Sequence, residues 1–350
     1  MVIEDGDMKA LVLTRYNEFE YQDVPIPRIG PQEVLIEVKA CGICGSDVHG
    51  MDGSTGRRRP PIIMGHEAAG VIAEVGSAVG GWKKGNRVTF DSTIYCGRCE
   101  YCLRGQVNLC DRRRVLGVSC QEYRQDGAFA EFVSVPQHIL CRLPEGLSFE
   151  RAAMVEPLSV AVHAAGRMPV VPDGKVAVFG AGIIGLLSIQ ALRQAGWRNV
   201  IAIDIDQDKL ELARTLGAAH TFNASVCDPV EQVLAVANGA GVEAALEAVG
   251  IESVFQAACR CLRKGGAVTL VGNVSPQVGL PLQLVVTREL VLYGSYASSG
   301  EYPACLEMIA QGKVDVDCLI SEVAPLAEGN AWFHRLYARE KGLKKVILAP

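Results

Sequence analysis

Two textures of hydrophobic patterning divide the chain. Up to about residue 156 the apolar stretches are short, rich in β-branched residues and framed by turn residues. Examples are Val34-Leu35-Ile36-Glu37-Val38, Gly70-Val71-Ile72-Ala73-Glu74-Val75-Gly76, Gly85-Asn86-Arg87-Val88 and Ala130-Glu131-Phe132-Val133. Such runs predict strands of a β-rich domain. Pro25, Pro27, Pro31, Pro60, Pro61 and Pro136 lie among them and oppose long helices. From Lys175 the pattern alternates instead. Strands are predicted over 176–179, 200–203, 267–271 and 290–293, with helices over 183–195 and 207–216. Apolar strands alternating with amphipathic helices imply right-handed βαβ units around a buried parallel sheet. The tail from Tyr302 predicts one helix near 304–311 and a last strand over 345–348. The fold class is therefore α/β, a β-rich domain joined to a doubly wound parallel sheet.

Composition narrows the function. At 350 residues the chain has length for two domains. Its net charge of -5 argues against a nucleic-acid partner. No apolar run approaches the length of a membrane span. The acidic start, Met1 to Asp7, lacks the basic and apolar regions of a secretory signal, so a cytoplasmic setting is expected. Thirteen cysteines, an odd number, are read for that reason as thiols or metal ligands rather than a disulfide framework.

Gly180-Ala181-Gly182-Ile183-Ile184-Gly185 lies between a predicted strand and a predicted helix. The first glycine permits the tight turn, the second lets backbone approach a pyrophosphate, and the third lets helix and strand pack closely. Asp204 ends the next strand about 20 residues on, where an acid bonds the adenosine ribose. Its charge would repel a 2′-phosphate and favours NAD over NADP, although Lys209 beside it tempers that preference. A glycine-rich turn followed by an acidic loop residue is the plain alternative.

Cys96-x-x-Cys99-x-x-Cys102 and Cys110 bring four thiols within fifteen positions. Four thiolates fill a tetrahedral zinc sphere and leave no place for substrate, so this ion would be structural and would stabilise a lobe of about 93–113. An iron–sulfur cluster or adventitious thiols are the alternatives, and the spacing is not that of the common ferredoxin run. Cys44-Gly45-Ser46-Asp47-Val48-His49 and Gly65-His66-Glu67 supply a thiol, an imidazole and a carboxylate, the donor types of an open catalytic zinc site.

Together the Gly42–His49 segment, Gly65-His66-Glu67, the four-cysteine lobe and the glycine loop resemble the zinc-dependent medium-chain alcohol and polyol dehydrogenases over nearly the whole chain. Met154-Val155-Glu156-Pro157-Leu158-Ser159 is similar to the sorbitol, galactitol-1-phosphate and threonine dehydrogenases, whereas liver-type alcohol dehydrogenases carry a cysteine ligand at the place of Glu156. The resemblance implies a GroES-like catalytic domain of residues 1–157 and 295–350 and a Rossmann domain of 158–294, with the active site in the cleft. It implies a catalytic zinc on Cys44, His66 and Glu67, with Glu156 binding the metal or holding its water. Cys41 is then a packed thiol, and the remaining seven cysteines have no ligand role. Val271, Gly272, Asn273, Ser295 and Tyr296 are implied as further contacts of the dinucleotide.

The implied reaction is NAD-dependent oxidation of a secondary alcohol, with zinc as the Lewis acid, Ser46 accepting the hydroxyl proton and His49 passing it to solvent. A polyol is the expected substrate. Arg57-Arg58-Arg59 and Arg112-Arg113-Arg114 leave a phosphorylated polyol open, with a solvated basic loop or subunit contact the simpler reading. Threonine or butanediol oxidation, a zinc-stabilised NAD-sensing protein and a zinc-free reductase of the same superfamily are the competing readings. The family resemblance also implies a homodimer or homotetramer, with 267–293 supplying a strand to a shared sheet.

Overall fold

The computed structural model describes residues 6–350; Met1–Asp5, most of the acidic start noted above, lie outside the described residues. The chain divides into two compact units, Met1–Glu156 with Tyr302–Pro350, and Pro157–Glu301.

The first unit is built on a seven-stranded sheet. Its order is Leu140–Arg142, Arg87–Phe90, Glu67–Val75, Glu33–Gly42, Lys345–Ala349, Ile320–Pro325, and Phe132–Pro136 also pairs with Glu33–Gly42. A smaller sheet joins Glu18–Pro25, Asp7–Arg15 and Ile62–Ile63. The core between these layers holds Leu11, Leu13, Ile36, Met64, Phe90, Phe129 and Phe333, all essentially without solvent contact. Helices before Phe149 are single turns, as the scattered prolines predict.

The second unit is a six-stranded parallel sheet ordered His220–Asn223, Asn199–Asp204, Lys175–Phe179, Val242–Glu247, Leu262–Leu270, Val291–Gly294. The order reverses at Lys175–Phe179, where the chain leaves the first strand for one neighbour and later returns to the other. Ligands bind beyond the strand C-termini at such a point.

The predicted helix over 183–195 forms as expected, Ile183–Ala195, and ends at Gly196 with φ 109°. Predicted strands at 85–88 and 130–133 start two residues later, at Arg87 and Phe132. Gly85 is spent in the turn at φ 87°, and Ala130 makes only an isolated bridge to Ala10. The pattern of apolar runs gives no sign of the strand Val242–Glu247. Its Val-Glu-Ala-Ala-Leu-Glu sequence carries little β-branching, yet it is one of the two central strands of the sheet. The tail is also richer than predicted. It adds the strand Ile320–Pro325 and the helix Gly329–Tyr337 to the helix Tyr302–Ala310 and the strand Lys345–Ala349. The added strand lies at a sheet edge with Glu322 and Val323 exposed, so it lacks a clear apolar pattern. No helix among the described residues is long and apolar enough to cross a membrane.

Candidate metal centres and dinucleotide site

Strand register brings the first donor set together. Gly42 pairs with Glu67 on one side and Ile347 on the other. Cys44 follows two residues later as the N-cap of the single turn Gly45–Val48, and His66 directly precedes the strand that Glu67 opens. A side chain at Gly42 would overlap the Glu67 carboxylate, so the close approach requires glycine. Gly65, at φ 97°, makes the turn that delivers His66. One ligand atom each of Cys44, His66 and Glu67 lies within 4.8 Å of the others. His66 Nδ1 faces Asp47 Oδ2 at 3.5 Å, which leaves Nε2 for a metal. Sulfur, imidazole nitrogen and carboxylate oxygen around one point suit zinc with an open position.

The surroundings are charged and buried. Lys345 Nζ donates to Glu67 Oε1 at 2.9 Å, to Glu67 Oε2 at 2.6 Å and to the Ile43 carbonyl at 2.9 Å. Burial works to lower the Lys345 pKa, but Glu67 and Cys44 hold it above the ordinary lysine value. Burial pushes the Cys44 thiol up, and the Glu67 charge adds to the effect. Glu156 stands outside the three-donor set and accepts from Ser92 Oγ at 3.2 Å. Burial raises its pKa to about 7, with Glu67 and Asp91 adding to the rise while His66 and Lys345 oppose it. Tyr302 Oη accepts from the Ser92 backbone N–H at 3.3 Å and fixes the residue on which Glu156 rests. A cluster this rich in acids suits a bound cation.

Ser46 is exposed, with Oγ 3.3 Å from Cys44 Sγ, and His49 is exposed at the end of the same turn. Of the arginine triplet, Arg57 and Arg59 are exposed, whereas Arg58 turns inward and is buried against Asp47. That differs from a wholly solvated loop.

The four thiols of the lobe also converge, with Sγ atoms within 4.8 Å of one another and Cys99 and Cys102 at 3.5 Å. A tetrahedral zinc–thiolate centre with bonds of about 2.3 Å needs sulfurs about 3.8 Å apart. Backbone N–H groups of Arg98 and Cys99 bring the Cys96 thiol down to about 6. Cys110 Sγ accepts from Cys96 N at 3.2 Å and Arg112 N at 3.4 Å. Gly97, at φ 69°, gives the turn between the first two cysteines. Backbone amides aimed at sulfur support thiolates, the form a metal binds.

In the second unit every predicted dinucleotide residue lies at or beyond a strand C-terminus or on the following helix. Gly180 has φ 95°, and a side chain at Gly185 would overlap the Gly180 carbonyl. A Cβ at Gly182 would meet nothing within 4 Å, so the glycine faces space that a pyrophosphate fits. No side chain caps the helix that starts at Ile183, leaving the N–H groups of Ile183, Ile184 and Gly185 toward that space. Asp204 Oδ2 accepts from Ala181 N at 2.6 Å, and Oδ1 accepts from Ile205 and Asp206 at 2.8 and 3.0 Å. Lys209 lies 3.7 Å from Asp206 on the next helix. Val271 and Gly272 donate backbone N–H groups to the Glu247 carbonyl, Asn273 and Tyr296 are exposed, and Ser295 donates its N–H to the Leu270 carbonyl.

A metal-dependent dehydrogenase is the class that these two assemblies define. The family model for the alcohol dehydrogenase GroES-like domain matches residues 30–145, and that for the zinc-binding dehydrogenase domain matches residues 184–311. The sorbitol dehydrogenase of Bacillus subtilis (strain 168) is 34% identical over 348 residues, covering 98% of each chain. The D-xylulose reductase A of Aspergillus oryzae is 35% identical over 347 residues, covering 97% of this chain and 96% of that one. A zinc-binding dehydrogenase from Sinorhizobium meliloti 1021, bound to NADP, is 33% identical with a TM-score of 0.90, covering 99% of this chain and 100% of that one. This chain belongs to the zinc-dependent medium-chain polyol dehydrogenase family. It is an enzyme acting on alcohols or polyols with zinc and NAD or NADP.

Lys345 and Ser92 are the residues around the first metal set that sequence reasoning misses; Arg58 enters it only within a basic triplet that could hold an anion, and Asp47 has no role beyond its place in the motif. Lys345 comes from the last strand, 278 residues from Glu67, and only the pairing of Ile347 with Gly42 brings it in. A charged residue opening the apolar run Val346-Ile347-Leu348 is the one signal the sequence offers.

Proposed function

We propose that this chain oxidises a sorbitol-like polyol at a secondary hydroxyl with NAD, and catalyses the reverse reduction. The convergence of Cys44, His66 and Glu67 donor atoms within 4.8 Å carries the reading. The names of the Bacillus subtilis and Aspergillus oryzae relatives support the substrate class. Zinc held by these three side chains would supply Lewis acidity toward the hydroxyl oxygen, while the dinucleotide serves as hydride acceptor. Ser46 takes the hydroxyl proton and His49, exposed one turn on, passes it to solvent. Glu156, held on Ser92, positions water beside the donors rather than replacing one of them. Cys96, Cys99, Cys102 and Cys110 hold a second, structural zinc.

Gly180, Gly182, Ile184 and Gly185 receive the pyrophosphate; Asp204 and Lys209 take the adenosine ribose; Val271, Gly272, Asn273, Ser295 and Tyr296 serve the nicotinamide half. The Asp204 carboxylate favours NAD. The catalytic domain is assigned to residues 1–157 and 295–350 and the cofactor domain to 158–294, a reading to which the two compact units are close, although they group 295–301 with the cofactor domain. The edge strand Val291–Gly294, with exposed Val291 and with Leu282 and Val286 exposed on the preceding helix, supports a homodimer, alone or within a homotetramer. The odd number of cysteines, thirteen, five of them assigned to metal, supports a reducing, cytoplasmic setting.

The test is Cys44→Ala, assayed with sorbitol, xylitol, polyol phosphates, threonine and 2,3-butanediol in parallel with wild type. Loss of turnover with NADH binding intact is expected, with plain polyols the best wild-type substrates. Retained turnover, or a phosphorylated polyol far ahead of the rest, would overturn the metal or the substrate assignment respectively.

A further inference from the structure

Arg58 is a charged side chain only 4% exposed, and neither metal centre nor dinucleotide site gives it a task. Its Nη2 and Nε both donate to Asp47 Oδ1, at 2.8 and 3.2 Å. Doubling on one oxygen leaves Oδ2 facing His66 Nδ1. The same Nη2 reaches Ser46 Oγ at 3.4 Å. Two independent features hold the guanidinium in place. The backbone is pinned because Arg59 N donates to the Ser119 carbonyl and Ser119 N to the Arg57 carbonyl, both at 3.2 Å. The side chain passes over Gly50, where a Cβ would stand 2.5 Å from Arg58 Cγ and 2.9 Å from the Ser46 carbonyl. Any other residue at position 50 would crowd the arginine stem and the Ser46 carbonyl.

We propose that Arg58 is a positioning residue that serves the metal site and the proton path at once. The inference rests on the assignment of His66 as a ligand and Ser46 as proton acceptor. Through Asp47, Arg58 fixes the orientation of the imidazole, because a carboxylate behind a ligating histidine sets its tautomer and ring plane. A buried Asp47 without Arg58 would be an uncompensated charge and would move. Through Nη2, Arg58 occupies one lone pair of Ser46 Oγ and so directs the other toward an incoming hydroxyl. Lysine can restore the charge beside Asp47 but not the reach to Ser46 as well, since holding both partners needs the planar fork.

The experiment compares Arg58→Met, Arg58→Lys and Arg58→Ala in the full-length zinc enzyme. It follows chelator-driven release of each zinc, the absorption spectrum after cobalt replacement, and kcat and KM separately. Arg58→Met is expected to release one of its two zinc ions about tenfold faster, to alter the cobalt spectrum, and to lower kcat by about tenfold or more with KM nearly unchanged. Arg58→Lys should keep metal release near wild type yet still lose kcat, because it restores charge beside Asp47 but not the contact to Ser46. Added guanidinium ion should recover part of the kcat of Arg58→Ala. Should Arg58→Met fail to fold, the lysine variant and the guanidinium rescue still read the proposal. Wild-type metal release, cobalt spectrum and kcat in folded Arg58→Met, or no rescue together with full activity of Arg58→Lys, would overturn it. Cys44→Ala separates the two levels: if it keeps both zinc ions and its activity, the metal assignment itself fails, whereas its loss beside an indifferent Arg58→Met sinks only the positioning role.

Discussion

Lys345 Nζ lies 2.6 Å from Glu67 Oε2 across 278 residues of chain, and both side chains are almost wholly withdrawn from solvent, at 3% and 1% exposure. A buried ion pair stripped of one partner leaves a costly lone charge. Glu67 is also a proposed zinc donor, so a bound dication offers it a second source of compensation. Lys345→Met should therefore destabilise the zinc-free protein by about 3–5 kcal/mol, and the zinc-loaded protein by clearly less. Thermal unfolding of variant and wild type, with and without metal, checks this. An equal loss in both states would separate the ammonium from the metal site.

The cysteine lobe has little to hold it besides its sulfurs. Its α-helical turn, Glu100–Leu103, buries no residue, its 3₁₀ turn, Val107–Leu109, buries only Asn108, and Leu103 is 76% exposed. A segment without a core draws its folding free energy from the metal. Cys99→Ser should lower the melting temperature and soluble yield while leaving kcat of the folded fraction within about twofold of wild type. Differential scanning calorimetry with active-site titration distinguishes this from a catalytic loss. A variant as stable as wild type would argue that the lobe does not depend on its ion.

Glu301 gives a pH dependence of known sign. Burial works to raise its carboxyl, but the hydrogen bonds from His163, at 2.7 Å, and from the Ser299 N–H prevail and hold it below the usual glutamate value. A carboxyl whose pKa is lower folded than unfolded stabilises the protein above the unfolded pKa, about 4.3, and that contribution is lost as pH falls through the folded value. The stability gap between wild type and Glu301→Gln should thus be constant from about pH 6 to 8 and close below about pH 4.5. Denaturant unfolding at several pH values measures it, and a gap that widens in acid would contradict the stated direction.

The parts of the site held within short spans of chain are legible from the order of amino acids alone. Cys96 to Cys110 close a cluster within a loop, and Gly180 to Gly185 form a strand–turn–helix junction whose sterics are local. Cys44 and His66 are suggested as partners by donor type and assigned through resemblance, because their meeting depends on the register of Glu33–Gly42 against Glu67–Val75, which no spacing encodes. Lys345, and the inward turn of Arg58 toward Asp47, are illegible because each depends on long-range packing. One reaches the site through the last strand, and the other through a loop whose arginines differ in burial although they are identical in type. Val242–Glu247 escapes notice because burial on both faces relieves a strand of any need to alternate, and its alanines carry no β-branched signal.

Asp204 is proposed to serve two ends at once, and kinetics with two dinucleotides can separate them. Its carboxylate ties the glycine loop through Ala181 N at 2.6 Å, and its charge stands where the 2′ position of an adenosine ribose is expected. Loosening the loop weakens NAD and NADP alike, since both share the pyrophosphate. Loss of the charge and of the ribose hydrogen bond acts unequally, weakening NAD and relieving repulsion of NADP. Asp204→Ala should therefore raise KM for NAD about tenfold or more and shrink the NAD-to-NADP ratio of kcat/KM by a further factor, each tenfold step corresponding to about 1.4 kcal/mol. Steady-state kinetics with both dinucleotides at fixed polyol decides between the two effects. A parallel loss for both would leave Asp204 as a loop anchor alone, and the preference for NAD would need another source.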